Sequence, residues 1–304
     1  MKIDYVLSYI DYNTQDIQDL YQQVTGNEYN FKYNYTYIDL ELVIRLIFKN
    51  LSFINKLYLV CKDIQVLPEH IEELINEYNG KIIRINESQI MPNNYISFSS
   101  GCIEMFIWKI PGLSEHFIYA CDDMIPLKPL NIKYFFKDNK IINQIKYLKR
   151  DFNCLYDLHC LNNTNLIFNR HQNNGEYNKA YMTEHTFRAL KKSICKECYN
   201  KYKKYILGSL SPYRYYNNFN MDLYVLYAFK NELNINEIPY YFFFTNLEDN
   251  INIFNQMNIL ININKFDKFP EVMCLNDNIS KEELVVEISD RYQNILLKIL
   301  EYEY

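Results

Sequence analysis

Two spacings of apolar positions alternate along the first half of the chain. From Ile3 to Ile10 the pattern is that of a strand, and from Leu40 to Phe48 apolar residues return every three to four positions, as on one face of a helix. The run Lys56-Leu57-Tyr58-Leu59-Val60-Cys61 predicts a second strand. A helix from Pro68 to Tyr78 follows, with proline in its first turn and Asn79-Gly80 as its stop. Lys81 to Ile85 then predicts a strand, Ser99 to Lys109 a helix, and Phe117 to Cys121 a short apolar strand suited to burial on both faces. Strand and helix alternate throughout, so the economical architecture is α/β: a largely parallel sheet with helices on both faces.

Beyond Phe136 the pattern changes. Lys140 to Leu148 predicts one more strand, whereas Asn163 to Phe229 is mostly helical in spacing and carries the Lys and Cys clusters. This predicts one domain over residues 1–304, with a mostly helical lobe inserted at 150–235. Tyr240 to Phe244 returns to strand, and Lys281 to about Leu300 forms a closing helix.

A chain of 304 residues with 49% hydrophobic content can bury a large core. The net charge of −5 provides no broad basic field, which disfavours nucleic acid as a partner. The 30 tyrosines beside abundant Asn and Ile read mainly as AT-rich codon usage; a stacking platform for sugars or bases would need an exposed cluster, for which Lys201-Tyr202-Lys203-Lys204-Tyr205 is the sequence candidate. Met1 leads directly into a strand pattern and no apolar run reaches membrane-spanning length, so a cytoplasmic location is expected. The Lys-rich stretch from Lys191 to Lys204 is the candidate for peripheral contact with the inner face of a membrane. Eight cysteines without the spacing of a disulfide framework fit a reducing compartment. Cys195 and Cys198 form a lone C-x-x-C, a weak zinc motif even with Cys154, His159 and Cys160 upstream.

The strand ending at Cys121 delivers Asp122 and Asp123, and successive residues of an extended chain point to opposite sides. One carboxylate can therefore hold a metal while its neighbour meets another group, at the strand end where α/β enzymes bind ligands. Neither a G-x-G-x-x-G nor a P-loop occurs, so phosphates would be held by side chains and a divalent cation. Arg45, Lys109, Arg188 and Arg214 are the candidate phosphate ligands, and Asp122 and Asp123 the candidate ligands for Mg²⁺ or Mn²⁺. His185, expected just ahead of a helix, could exchange a proton with a substrate hydroxyl. Ser100 and Glu104, four apart, share a helix face, and Asn276 and Asp277 lie at the end of the strand-like Val272-Met273-Cys274.

These residues together resemble the Stealth proteins, a family of sugar-phosphate transferases that includes bacterial capsule polymerases. A first region is similar to Ile3 through Asp11. A second, the longest, runs from Asp39 to Phe136 and includes Arg45, Ser97-Phe98-Ser99-Ser100, Glu104, Lys109-Ile110-Pro111-Gly112-Leu113 and Asp122-Asp123. A third resembles Glu184-His185-Thr186 with Lys191-Lys192-Ser193, Arg214 and Asp222; a fourth, Cys274-Leu275-Asn276-Asp277 and the helix after it. The chain departs from the family pattern with Tyr12 where glycine is usual, Cys121 where asparagine is usual, and Asp39 in place of glutamate.

The resemblance implies a Rossmann-like, GT-A-like fold and transfer of a hexose-1-phosphate from a UDP-sugar, such as UDP-N-acetylglucosamine, to a hydroxyl of an oligosaccharide or lipid-linked glycan, with release of UMP. It implies Asp122 and Asp123 at the metal and donor diphosphate, Arg214 at the transferring phosphate, His185 in proton exchange, and Asp11 with Asn276 and Asp277 at the border of the same cleft. The remaining readings are a metal-dependent glycosyltransferase that releases UDP and a silent glycan-binding relative.

Overall fold

The computed structural model describes residues 1–28, 39–149, 154–170, 179–240, 242–246, 257, 265–276 and 285–301. The first half runs β1 (Ile3–Ser8), α1 (Gln15–Thr25), α2 (Leu40–Asn50), β2 (Ile54–Cys61), α3 (Glu69–Glu77), β3 (Ile82–Asn86), α4 (Ser100–Glu104), β4 (His116–Cys121) and β5 (Met124–Pro126). Next come β6 (Phe136–Lys137), β7 (Lys140–Ile142), β8 (Ile145–Lys149), α5 (Leu155–Phe168), β9 (Lys179–Thr183), β10 (Arg188–Lys191), α6 (Lys192–Gly208) and α7 (Asp222–Lys230). The last elements are β11 (Asn234–Ile235), β12 (Phe242–Asn246), β13 (Val272–Asn276) and α8 (Val285–Glu301).

The central sheet has the order β10-β4-β1-β2-β3; all neighbours are parallel except β10, which lies antiparallel on β4. This is the α/β architecture the apolar pattern predicts. Chain order steps outward from β1 through β2 to β3 and then returns to place β4 on the other flank of β1. Right-handed crossovers put α2 and α3 on one face and the connection through α4 on the other. The reversal of chain order at β1 makes the carboxyl ends of β1 and β4 the switch point, where open α/β sheets form their ligand crevice. Their register aligns Ser8 with Cys121, so Asp11 and the Asp122-Asp123 pair emerge on the same edge.

Local chemistry fixes these elements. β1 is buried along its length, and its one carboxylate, Asp4, accepts from Asn55 Nδ2 at 2.8 Å and the Ser114 amide at 2.7 Å. Asp39 caps α2 by accepting from the amides of Glu41 and Leu42. Lys49 of α2 donates to the carbonyls of Ile299 and Leu300, neutralising the last turn of α8. A continuous core reaches from Ile3 to Ile299.

Three sequence expectations change. The helix from Ser99 to Lys109 stops at Glu104, because Tyr224 Oη and Trp108 Nε1 both donate to the Met105 carbonyl, the acceptor a continuing helix would use. The strand from Lys140 to Leu148 divides at Asn143, whose amide exchanges two hydrogen bonds with the Ala189 backbone and separates β7 from β8. The stretch at 150–235 is not only helical: β9 pairs with β8, and β10 completes the central sheet beside β4. Among the described residues no helix is long and apolar enough to cross a membrane.

Candidate functional site

Asp123 is the meeting point of three segments that are remote in sequence. Its Oδ2 lies 3.4 Å from His185 Nε2 and accepts from the Cys274 thiol at 3.4 Å. Antiparallel pairing of β5 with β13 sets Cys274 opposite Met124, one residue beyond Asp123, which explains why the thiol reaches the carboxylate. His185 arrives from the loop joining β9 to β10, not from a helix start as its sequence context suggested. Ligand atoms of Asp123, His185 and Cys274 lie within 4.8 Å of one another. Asp123 Oδ1 is buried with no hydrogen-bond partner, an expensive state for a carboxylate oxygen unless something binds it. Burial, reinforced by the Asp123 charge, pushes the Cys274 thiol well above its ordinary pKa. Cys274 is therefore a neutral donor to Asp123 and not a thiolate.

Asp122 serves the other side of the turn. The Tyr9 hydroxyl is raised in pKa by burial and then by the charges of Asp11 and Asp122. The Tyr12 hydroxyl is raised chiefly by burial, with Arg214 opposing and Asp122 adding to the shift. Asp11, Asp122, Tyr9, Tyr12 and Arg214 therefore share one electrostatic neighbourhood at the carboxyl ends of β1 and β4. Asp11 Oδ1 accepts from the Asn13 amide at 3.0 Å, which holds the turn after β1. Arg214 donates to Ser100 Oγ at 3.1 Å, tying the loop before α7 to α4. Glu104 lies beneath: it is buried, accepts from Tyr119 Oη at 3.2 Å and from the Met221 amide at 2.8 Å, and has its pKa raised by burial.

Several candidates sit elsewhere. Arg45 forks onto Glu77 at 2.9 and 3.1 Å and bonds Glu41 at 2.8 Å. Because Glu77 ends α3 just before β3 begins, this cluster lies at the edge of the sheet opposite the crevice. Lys109 precedes β4, also at that edge, with its ammonium over the rings of Phe106, Trp108 and Tyr199. Asn276 pairs through its backbone with Asn246 in the β12–β13 ladder, and Asp277 lies outside the described residues. Cys195 and Cys198 are buried, with thiol pKa values raised by burial, and belong to no ligand cluster among the described residues. Cys154 is exposed, Cys160 donates to Asp222, and His159 Nε2 donates to the Tyr215 carbonyl.

Arg188 is no surface phosphate ligand. Its Nε lies 3.1 Å from Asp222 Oδ1, both side chains are buried, and its Nη1 donates to the Thr186 carbonyl. Asp222 also accepts from Thr183 Oγ1 and from Tyr156 Oη at 3.3 Å, and the Tyr156 ring meets His185 edge-on with centroids 6.0 Å apart. This buried pair pins both ends of the loop that carries His185. The function of Arg188 was hidden because its partner lies 34 positions away on another element.

Residues 34–144 match the model described as Stealth protein CR2, conserved region 2, which spans the second region read from the sequence. The chain thus carries that region of the Stealth proteins. It is 29% identical over 245 residues to a capsular polysaccharide phosphotransferase of Actinobacillus suis, covering 75% of this chain and 61% of the relative. It is 28% identical to capsular polysaccharide phosphotransferase fcs1 of Haemophilus influenzae, covering 71% and 61%, and 26% identical to LcbA of Neisseria meningitidis, covering 93% and 79%. The chain therefore spans about three fifths of the first two relatives. Among solved structures, the galactosyltransferase LgtC is similar at 8% identity and a TM-score of 0.48, over 99% of this chain and 97% of that one.

Proposed function

We propose that this chain transfers a sugar-1-phosphate from a UDP-sugar to a glycan hydroxyl in capsular or other cell-surface polysaccharide synthesis. The observation that carries this reading is the pairing of Asp123 with His185 at the carboxyl edge of the sheet, in a chain whose relatives are named as capsular polysaccharide phosphotransferases. In such a transfer the acceptor oxygen bonds to the β-phosphorus, the bond from that phosphorus to the oxygen bridging it to the α-phosphate breaks, and UMP leaves. The sugar C1–O bond survives, so the anomeric configuration is retained.

Phosphoryl transfer asks mainly for alignment and charge neutralisation. His185 is assigned the acceptor proton at the ring nitrogen opposite Nε2, with Asp123 orienting the imidazole through Nε2 at 3.4 Å. Arg214, anchored on Ser100, supplies positive charge to the transferring phosphate. Asp11 and Asp122, which share the field around Tyr9, border the donor side.

The unpartnered Oδ1 of Asp123 fits a divalent cation, and a carboxylate suits Mg²⁺ or Mn²⁺. Asp123 would be the principal ligand; Asp122, the second carboxylate expected from the sequence, acts on Tyr9 and Tyr12 and is not part of the cluster of Asp123, His185 and Cys274 among the described residues. The neutral Cys274 thiol is a poor ligand for a hard cation and instead holds Asp123 in place. When bound, the ion supplies charge neutralisation at the diphosphate.

The test is to incubate the protein with UDP-N-acetylglucosamine, Mg²⁺ and a panel of oligosaccharide acceptors and to identify the nucleotide released. UMP with a phosphodiester-linked product supports the proposal; UDP would assign glycosyl transfer, and donor binding without either nucleotide would assign a silent glycan-binding relative.

A further inference from the structure

The loop between α6 and α7 exposes three aromatic rings on a backbone held tightly in place. Tyr213, Tyr215 and Tyr216 retain 36%, 39% and 56% of their exposure. Tyr215 and Tyr216 lie with ring centroids 4.3 Å apart, and Tyr213 stands edge-on to Tyr215 at 6.1 Å. The chain beneath them is pinned from several elements. Fully buried Asn218 donates to the Ser209 carbonyl and accepts from the Tyr215 amide and Ser99 Oγ. His159 donates to the Tyr215 carbonyl at 2.8 Å, Asn162 donates to the Tyr216 carbonyl at 2.7 Å, and the Phe98 amide donates to the Pro212 carbonyl at 2.7 Å.

The part of each ring left open gains nothing from burial, yet the backbone that carries the rings is held in one arrangement. Such preorganisation lowers the ordering cost of a ligand that lies on them. The platform adjoins the candidate site, because Arg214, between Tyr213 and Tyr215 in sequence, reaches Ser100 of α4 and acts on the Tyr12 hydroxyl. Apart from Arg214, residues 209–218 carry no charged side chain; they offer rings, hydroxyls and amides. That chemistry suits a neutral ligand with one apolar face and a rim of hydroxyls, which describes a pyranose ring.

We infer that Tyr213, Tyr215 and Tyr216 form a subsite for the acceptor oligosaccharide, holding pyranose units beyond the one whose hydroxyl enters the crevice. The inference rests on the transfer reading for the word acceptor, but the platform can be tested without the reaction. The sequence candidate for such a platform, Lys201 to Tyr205, does not supply it, since Tyr202 is buried against Tyr227.

The test measures binding of hexasaccharides of glucose, galactose, mannose and N-acetylglucosamine to the donor-free protein at millimolar concentration. The Tyr215→Ala/Tyr216→Ala double variant and Tyr216→Phe are compared with the parent chain. At least one hexasaccharide should bind, about tenfold more weakly to the double variant, and Tyr216→Phe should stay within about twofold because the ring is retained. Equal binding by the parent and the double variant, or no binding of any hexasaccharide by the parent, overturns the inference. A smaller hydrodynamic size of the double variant with unchanged glycan binding also overturns it, by making the rings a contact between copies. Ring-dependent binding in a protein that releases UDP instead of UMP would keep the platform and refute only phosphoryl transfer.

Discussion

The most informative perturbation is removal of the charge on Asp222. Burial is the largest single influence on Arg188 and opposes its charge, but Asp222 together with Tyr156 and Glu104 holds the guanidinium pKa above its ordinary value. Two unit charges at about 4 Å attract by about 4 kcal/mol at an effective dielectric of about 20, and desolvation of both groups offsets much of that gain. Asp222→Asn keeps the shape but leaves Arg188 buried without a counter-charge, a change that costs about 3–5 kcal/mol. Because Thr183 Oγ1 and Tyr156 Oη also donate to Asp222, loss of its charge weakens their hold as well.

The assay is urea unfolding followed by circular dichroism, where a loss of this size moves the midpoint by about 1 M or more. The partner variants are Arg188→Met and the double Arg188→Met/Asp222→Leu, in which no buried charge is orphaned. The double variant should be more stable than either single variant, with a coupling of about 2–3 kcal/mol. Below the unfolding transition, Asp222→Asn should still turn over more slowly, since the loop bearing His185 has lost its anchor. A midpoint unchanged by Asp222→Asn, or a coupling near zero, would falsify the claim that this pair braces the site.

Asp123→Asn should retain the circular dichroism spectrum and lower the rate of nucleotide release by about 100-fold or more, because it removes the charge facing His185; retained turnover would refute its assignment. Gly101→Ala should lower the melting temperature by several degrees, since a Cβ there would lie 2.4 Å from the Phe219 carbonyl oxygen and force α4 from the loop before α7 at a cost of about 1–3 kcal/mol; an unchanged melting temperature would contradict that packing. His159 has its pKa lowered from 6.5 to about 4, first by burial and then by Arg214, against its hydrogen bond to Tyr215. Between pH 6.5 and about 4 the unfolded chain takes up a proton that the folded chain refuses, so stability should fall by about 2–3 kcal/mol as pH drops through this window and level off below it. The slope should shrink in His159→Asn, which urea midpoints measured at several pH values will reveal.

The parallel strands were legible because β1, β2 and β4 are buried almost throughout and carry apolar runs that need no knowledge of their neighbours. The breaks were not. Nothing local announces that Tyr224, remote in sequence, will take the Met105 carbonyl, or that Ala189 will claim Asn143. Charged side chains were harder still. Arg45 and Glu41 form an i,i+4 pair that the sequence contains, but Glu77 is brought in only by α3, and that second partner removes Arg45 from consideration as a ligand for phosphate. His185 was expected just ahead of a helix, whereas its loop leads into β10, and Arg188 and Asp222 are joined only once β10 lies on β4.

The departures from the family pattern gain a physical meaning in this setting. Tyr12, in place of the usual glycine, packs its ring beside Phe98, with centroids 6.2 Å apart, and Tyr21 meets the same Phe98 at 5.1 Å. Lys62 lies beneath, over the Phe98 ring and paired with buried Glu87 at 2.6 Å, so the aromatic cluster rests on a neutralised charge. A glycine at position 12 would lack this ring contact; tyrosine supplies it and brings a hydroxyl into the field of Asp122 and Arg214. Cys121, in place of asparagine, withdraws an amide from the turn before Asp122 and leaves a thiol kept neutral by burial and the Asp123 charge. Both changes lie at the carboxyl ends of β1 and β4 while Asp123, His185 and the Arg188–Asp222 brace stay in register, so under the proposed transfer their effect should fall on which donor is accepted before it falls on the transfer step.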